Sequence, residues 1–176
     1  CTSESAIKTI EDINKNVKKA TDVKVAATLT AHHLFLTIDD WAGNPVNFCK
    51  PVAKLPNDKR ALVKAAVSGK PYFFFGSDSA PHPVQNKAKY EGVCAGVYSQ
   101  SFAIPYIAQV FEEQNALENL KGFVSDFGIS FYEVKDSEVA SSDKAILFKK
   151  EQVIPQVISD GKDISIIPFK AGDKLS

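Results

Sequence analysis

Tyr72-Phe73-Phe74-Phe75-Gly76-Ser77-Asp78-Ser79-Ala80-Pro81-His82 is the stretch on which the reading of this chain turns. Tyr72 to Phe75 is an unbroken aromatic run, too short for a helix and bounded by Gly69-Lys70-Pro71 before it and Gly76 after. Such a run suits a strand covered on both faces, as in a parallel sheet. A carboxylate, two hydroxyls, a proline and a histidine follow at once. Buried strands that open onto polar turns at their carboxyl ends are how α/β barrels present chemistry, so Asp78 is expected at the strand exit with His82 just beyond. The same residues are also ordinary turn formers, because Asp and Ser bond their own backbone and Pro fixes φ. A second strand ending upstream favours the functional reading. Val23 to Thr30 is β-branched and mostly apolar, and it runs directly into Ala31-His32-His33-Leu34. Side chains alternate along a strand, so only one of the two histidines is expected to face a shared site.

Around these two strands the chain alternates helix and strand. Thr2-Ser3-Glu4-Ser5 supplies hydroxyl caps and early acids, and Ala6, Ile7, Ile10, Ile13 and Val17 recur at helical spacing. Phe35 to Lys54 is a long excursion holding the single Trp, ordered by its aromatic content, and it closes on a short apolar piece, Phe48 to Val52. Asp58 to Ser68 reads as a helix with Asp58 as its cap and Gly69 as its stop. Helices are expected at Pro105–Gln114, Ala116–Val124 and Asp126–Tyr132, and strands at Ala145–Phe148, Val153–Ile158 and Ile164–Phe169. This order indicates a parallel α/β architecture over residues 1–143, with a mainly antiparallel strand extension over 144–176 packed on the same domain.

Composition narrows the function. Lys and Arg number 21 against 21 Asp and Glu, so no basic excess points to nucleic acid or an anionic membrane surface. No apolar run approaches the roughly 20 residues that span a bilayer. The 3 cysteines, Cys1, Cys49 and Cys94, are widely separated and odd in number, which argues for a reducing compartment, with Cys49 and Cys94 expected as buried free thiols. The absence of Met and the start at Cys1 lead to the expectation that the chain is an internal piece of a longer protein. A serine-hydrolase reading fails because Ser77, Asp78, Ser79 and His82 crowd one turn and no Gly-x-Ser-x-Gly elbow exists. Gly92 to Val97 lacks the Lys-Ser/Thr pair of a phosphate loop; its small residues allow close backbone approach to a ligand or close packing. Imidazole and carboxylate suit zinc, although two ligands fall short of the three that catalytic zinc takes.

Gly76-Ser77-Asp78-Ser79-Ala80-Pro81-His82 after the aromatic strand resembles the signature of dihydroorotases of the single-function type, in the amidohydrolase superfamily. Thr30 to Leu34, Asn47 to Pro51, Cys94-Ala95-Gly96 and Val110-Phe111-Glu112-Glu113 continue the resemblance in the same order, over essentially the whole chain. The resemblance implies the part of a (β/α)₈ barrel from helix five to strand eight, with the C-terminal extension. It implies two zinc ions, whose remaining ligands, a carboxylated Lys among them, lie outside this chain. By the same resemblance His33 and Asp78 are metal ligands, with Asp78 also activating the attacking hydroxide and protonating the leaving nitrogen. His82, Ala95, Gly96 and Lys50 are implied as substrate contacts; some relatives carry Leu where Lys50 stands. The reaction implied is reversible opening of the cyclic amide of dihydroorotate to N-carbamoyl-L-aspartate in pyrimidine synthesis, by a cytoplasmic homodimer. A non-catalytic scaffold of the same family and a different cyclic amidase such as a hydantoinase are the alternatives.

Overall fold

The computed structural model describes residues 1–16, 24–88, 92–135 and 150–175. Val17, Val23 and the expected strand Ala145–Phe148 lie outside them. Helix α1 spans Glu4–Asn16. Its start follows the sequence pattern, since the Ser3 hydroxyl accepts the Ala6 N–H at 3.2 Å. Ile7 is buried and Ile10 packs against the same core.

Two short strands carry the site. Strand β1 (Ala27–Leu29) and strand β2 (Phe73–Phe75) pair in parallel, with Ala27 opposite Phe73 and Leu29 opposite Phe75. Backbone bonds from Ala27 N–H to Tyr72 O (2.9 Å) and from Gly76 N–H to Leu29 O (3.1 Å) extend the ladder at both ends. Parallel strands are stable only when both faces are covered; Phe73 and Leu29 on one face are 0% and 1% exposed, and Phe74 on the other is 3% exposed. Beyond β2 the parallel arrangement continues through single bridges, Ser79 with Val97 and Tyr98 with Pro168.

Between β1 and β2 lie helix α2 (Ile38–Trp41), a 3₁₀ turn at Pro45–Asn47 and helix α3 (Pro56–Ala66). The excursion is ordered, as its aromatic content indicated: the Trp41 indole donates to Ala53 O at 2.8 Å and its ring meets Phe48 at 5.8 Å. Phe48 to Val52 is not a strand. It forms a turn around a cis Lys50–Pro51 peptide, and its Phe48 carbonyl serves residues 87 and 96 instead of a sheet ladder.

Helix α3 begins two residues earlier than the reading that took Asp58 as its cap. Pro56 can occupy the first helical position without losing a hydrogen bond, so Asp58 falls inside the first turn. From there it reaches back to the Leu55 N–H at 3.1 Å and across to the Glu4 N–H at 2.8 Å. One carboxylate thus caps both α3 and α1.

The later chain contributes α4 (Val84–Lys87), α5 (Ala103–Glu113) and α6 (Phe127–Tyr132). Ala116–Val124 is not one helix; it divides into a 3₁₀ turn at Leu117–Asn119 and a π-type turn at Gly122–Asp126 leading into α6. Four two-residue strands, β3 (Gln152–Val153), β4 (Ile158–Ser159), β5 (Ser165–Ile166) and β6 (Lys174–Leu175), pair antiparallel as β3–β6 and β4–β5. They belong to the common core: Ile154, Phe169 and Leu175 are buried with it, and the Tyr106 hydroxyl donates to Phe169 O.

Replacing Asp58 by Ala leaves donors on two helices unsatisfied at once. Its expected cost is about 1–3 kcal/mol of stability, read as a lower urea midpoint with an unchanged denaturant slope. Replacing Asp58 by Asn is expected to recover part of that loss.

Candidate active site

The carboxyl ends of β1 and β2 lie side by side, so the residues after Leu29 and after Phe75 meet. After Thr30 and Ala31 the chain makes one 3₁₀ turn over His32–Leu34. The histidines therefore sit on a turn, and strand alternation does not separate them. Their ring centroids lie 4.5 Å apart, and they are 0% and 2% exposed.

Their surroundings differ. The His33 Nε2–H donates to Pro51 O at 2.7 Å, and Nδ1 accepts from the Thr30 hydroxyl at 2.6 Å. The same hydroxyl accepts the His33 backbone N–H at 3.2 Å. This network selects the Nε2–H tautomer of a neutral imidazole and uses its one free lone pair. His33, expected from the resemblance to ligate a metal, thus has both nitrogens bonded to the protein. His32 is the opposite case: both ring nitrogens lack a hydrogen-bond partner among the described residues. Burial, reinforced by the adjacent His33, pulls its pKa down to about 3, so the ring is neutral at pH 7. Burial also lowers the pKa of His33.

Asp78 approaches His32 from the neighbouring strand, with Oδ2 4.0 Å from His32 Nε2. Its backbone has φ +40°, a left-handed conformation that a non-glycine residue holds only where the surroundings impose it. The anchors are adjacent. The Ser79 hydroxyl accepts the N–H groups of Ser99 and Gln100 at 3.1 and 3.0 Å, and the Ala80 N–H donates to Val97 O at 3.0 Å. The Asp78 side chain remains half exposed at the mouth of the site.

Four residues beyond Asp78, the His82 Nε2–H donates to Ala95 O at 3.1 Å. This closeness depends on Gly96, which has φ +152°; a Cβ there would stand 2.5 Å from the Ala80 Cβ and 2.9 Å from the His82 ring. The Gly96 N–H donates to Phe48 O at 2.9 Å, tying the 94–96 loop to the turn that carries the exposed Lys50. The structure thus gathers His82, Ala95 and Gly96, with Asp78 four residues earlier on the same loop.

The sequence reading passed over Lys87. It ends α4 buried, its ammonium donating to Phe48 O, Cys94 O and Gly96 O at 3.0, 2.9 and 2.7 Å. Desolvation lowers its pKa. Nothing in the order Asn86-Lys87-Ala88-Lys89 marks Lys87 as a buried lysine.

The donor types fit a divalent metal. His32 offers an unused neutral imidazole beside the Asp78 carboxylate, both of which zinc accepts. His32, His33 and Cys49 bring candidate ligand atoms within 4.8 Å of one another. Burial pushes the Cys49 thiol pKa up, away from the thiolate a metal takes.

These features define an α/β protein whose site lies where parallel strands end, with a carboxylate held in strained backbone opposite an unpartnered imidazole. Comparison with known proteins makes the class specific. No protein-family model matches the chain. The dihydroorotase of Saccharomyces cerevisiae is 99% identical over 176 residues, covering 100% of this chain and 48% of that protein. A crystal structure of dihydroorotase from S. cerevisiae in complex with 5-fluoroorotic acid matches with a TM-score of 0.95. A probable dihydroorotase of Schizosaccharomyces pombe is 41% identical over 99% of the chain. Dihydroorotase from Campylobacter jejuni, at 36% identity, matches with a TM-score of 0.80 and is covered over 47% of its length. Along its whole length the chain belongs to the dihydroorotase family, and it spans about half the length of the curated relatives it matches.

Substituting Gly96 by Ala forces a side chain into the space of His82 and into backbone that L-residues avoid. The expected result is a loss of about 1–3 kcal/mol in stability together with a displaced His82 ring, visible as a shift of its imidazole proton resonances. An unmoved resonance with unchanged stability would contradict the geometry.

Proposed function

We propose that this chain supplies the carboxylate and the substrate-anion contacts of a dihydroorotase, as the helix-five to strand-eight part of a (β/α)₈ barrel. The reaction is reversible hydrolysis of the cyclic amide of dihydroorotate to N-carbamoyl-L-aspartate in pyrimidine synthesis. The observation that carries this reading is the single loop presenting Asp78 and His82 at the end of β2, in a chain 99% identical to a dihydroorotase over all of its length.

Asp78 is the proton carrier. Water adds to the amide carbonyl carbon, Asp78 takes the proton it releases, the carbon–nitrogen bond breaks, and Asp78 returns the proton to the departing nitrogen. A pair of zinc ions, when bound, makes water acidic enough to attack near neutral pH. In this reading Asp78 holds one of them. His33, at the matching position of the resemblance, is the second metal ligand from this chain, and His32 faces Asp78 with neither ring nitrogen hydrogen-bonded among the described residues. Half-exposure keeps the Asp78 carboxylate accessible. His82, the Ala95–Gly96 backbone and Lys50 receive the substrate carboxylate.

In a protein of the relatives' full length, Asp78→Ala is expected to lower kcat by roughly a thousandfold or more with an unchanged circular dichroism spectrum. Normal hydrolysis of dihydroorotate by that variant would refute the assignment. His82→Ala is expected to act mainly on binding, raising KM about tenfold with kcat altered only slightly. His33→Gln tests the ligand role: loss of a metal equivalent is expected, whereas a lower melting temperature with unchanged metal content would make the ring structural.

A further inference from the structure

Lys87 is a buried cation bonded to three backbone carbonyls, and no carboxylate is among those partners. An ammonium has three donors, and here each meets an oxygen from the two loops assigned to substrate contact. Two of those oxygens, on Cys94 and Gly96, flank Ala95, whose own carbonyl turns the other way to the His82 ring. Extended backbone alternates in this manner, each residue's N–H and C=O pointing to one side and its neighbours' to the other. The Gly96 N–H accordingly points to Phe48 O, on the lysine side, and Phe48 O is shared with Lys87 itself. The Cys94 N–H also turns to that side, donating to Asn86 O at 3.1 Å. The 94–96 segment is held from one side by α4 and Lys87, which leaves the Ala95 peptide facing His82.

We infer that Lys87 is a positioning residue for recognition of the substrate's carboxylate: it fastens the 94–96 loop to the 48–50 turn so that the Ala95 peptide and the His82 ring stay joined at the binding surface. The inference rests on the functional reading above and adds a residue outside the contact set. Lys87 acts through the loop and has no contact with the reacting atoms. It also places a positive charge behind a binding surface for an anion, with no hydrogen-bonded carboxylate among the described residues.

The test uses the metal-loaded full-length protein with Lys87→Met, His82→Ala and the double variant, assayed on dihydroorotate. Lys87→Met is expected to raise KM at least tenfold, with kcat within threefold of wild type and metal content unchanged. Because both residues serve one binding element, the double variant is expected to lie within about threefold of His82→Ala alone. An unchanged KM in Lys87→Met, multiplying KM effects in the double variant, or a joint fall of kcat and metal content would each overturn the inference. Where Lys87→Met does not fold, Lys87→Gln is read by the same criteria; failure of both to fold would show that Lys87 serves the fold alone and would also overturn it. Amide exchange over peptides 92–98 provides a readout independent of turnover: faster exchange there, with the β2 peptide unchanged, is expected, and equal exchange counts against Lys87. A wild-type protein without activity on dihydroorotate would defeat the functional reading, while this exchange measurement would still judge the role of Lys87.

Discussion

The parallel pairing of Ala27–Leu29 with Phe73–Phe75 is the constraint from which the site follows. It holds because Phe73 and Leu29 on one face of a two-strand ladder, and Phe74 on the other, are sealed from water. A Phe removed from such a position typically costs about 3–5 kcal/mol, so the register is strongly determined. A one-residue slip would turn every side chain to the opposite face. With the register fixed, the chain leaving Leu29 and the chain leaving Phe75 emerge together, and His32 and Asp78 come within 4.0 Å although they are far apart in sequence.

Two adjacent histidines show how far local surroundings outweigh residue identity. Both are buried and both are pulled toward the neutral form. One has its donor and acceptor matched by Thr30 and Pro51; the other has neither nitrogen matched among the described residues. An unmatched buried polar group costs roughly 1–3 kcal/mol, and such costs are tolerated where chemistry requires them. The strained Asp78 backbone has the same character, held by Ser79 and Ala80 against its own preference.

Much of this was legible in the amino-acid order. The aromatic run at 72–75 can be covered on all sides only as a buried strand, and the spacing of Ile7 and Ile10 allows one helix face; both readings agree with the structure. The motif from Gly76 to His82 led to the family. What could not be read depends on long-range contacts. His32 and His33 are chemically identical neighbours, and what distinguishes them is the Thr30 hydroxyl together with the Pro51 carbonyl, 18 residues from His33. Phe48–Val52 has the apolar character of a strand, but the Phe48 carbonyl is taken up by Lys87 and Gly96. Asp58 reads as a cap by local rules and proves to sit inside the first turn, because Pro56 opens the helix earlier.

The hydroxyl of Ser79 has an architectural consequence. By accepting the N–H groups of Ser99 and Gln100, just ahead of α5, it couples the reactive loop to a helix whose Tyr106 in turn grips Phe169. The late segment of the chain therefore acts as a buttress reaching the carboxylate through a relay of three bonded neighbours. Transplanting the Asp78 loop alone into another scaffold would leave this brace behind, and the unusual backbone of the aspartate would relax.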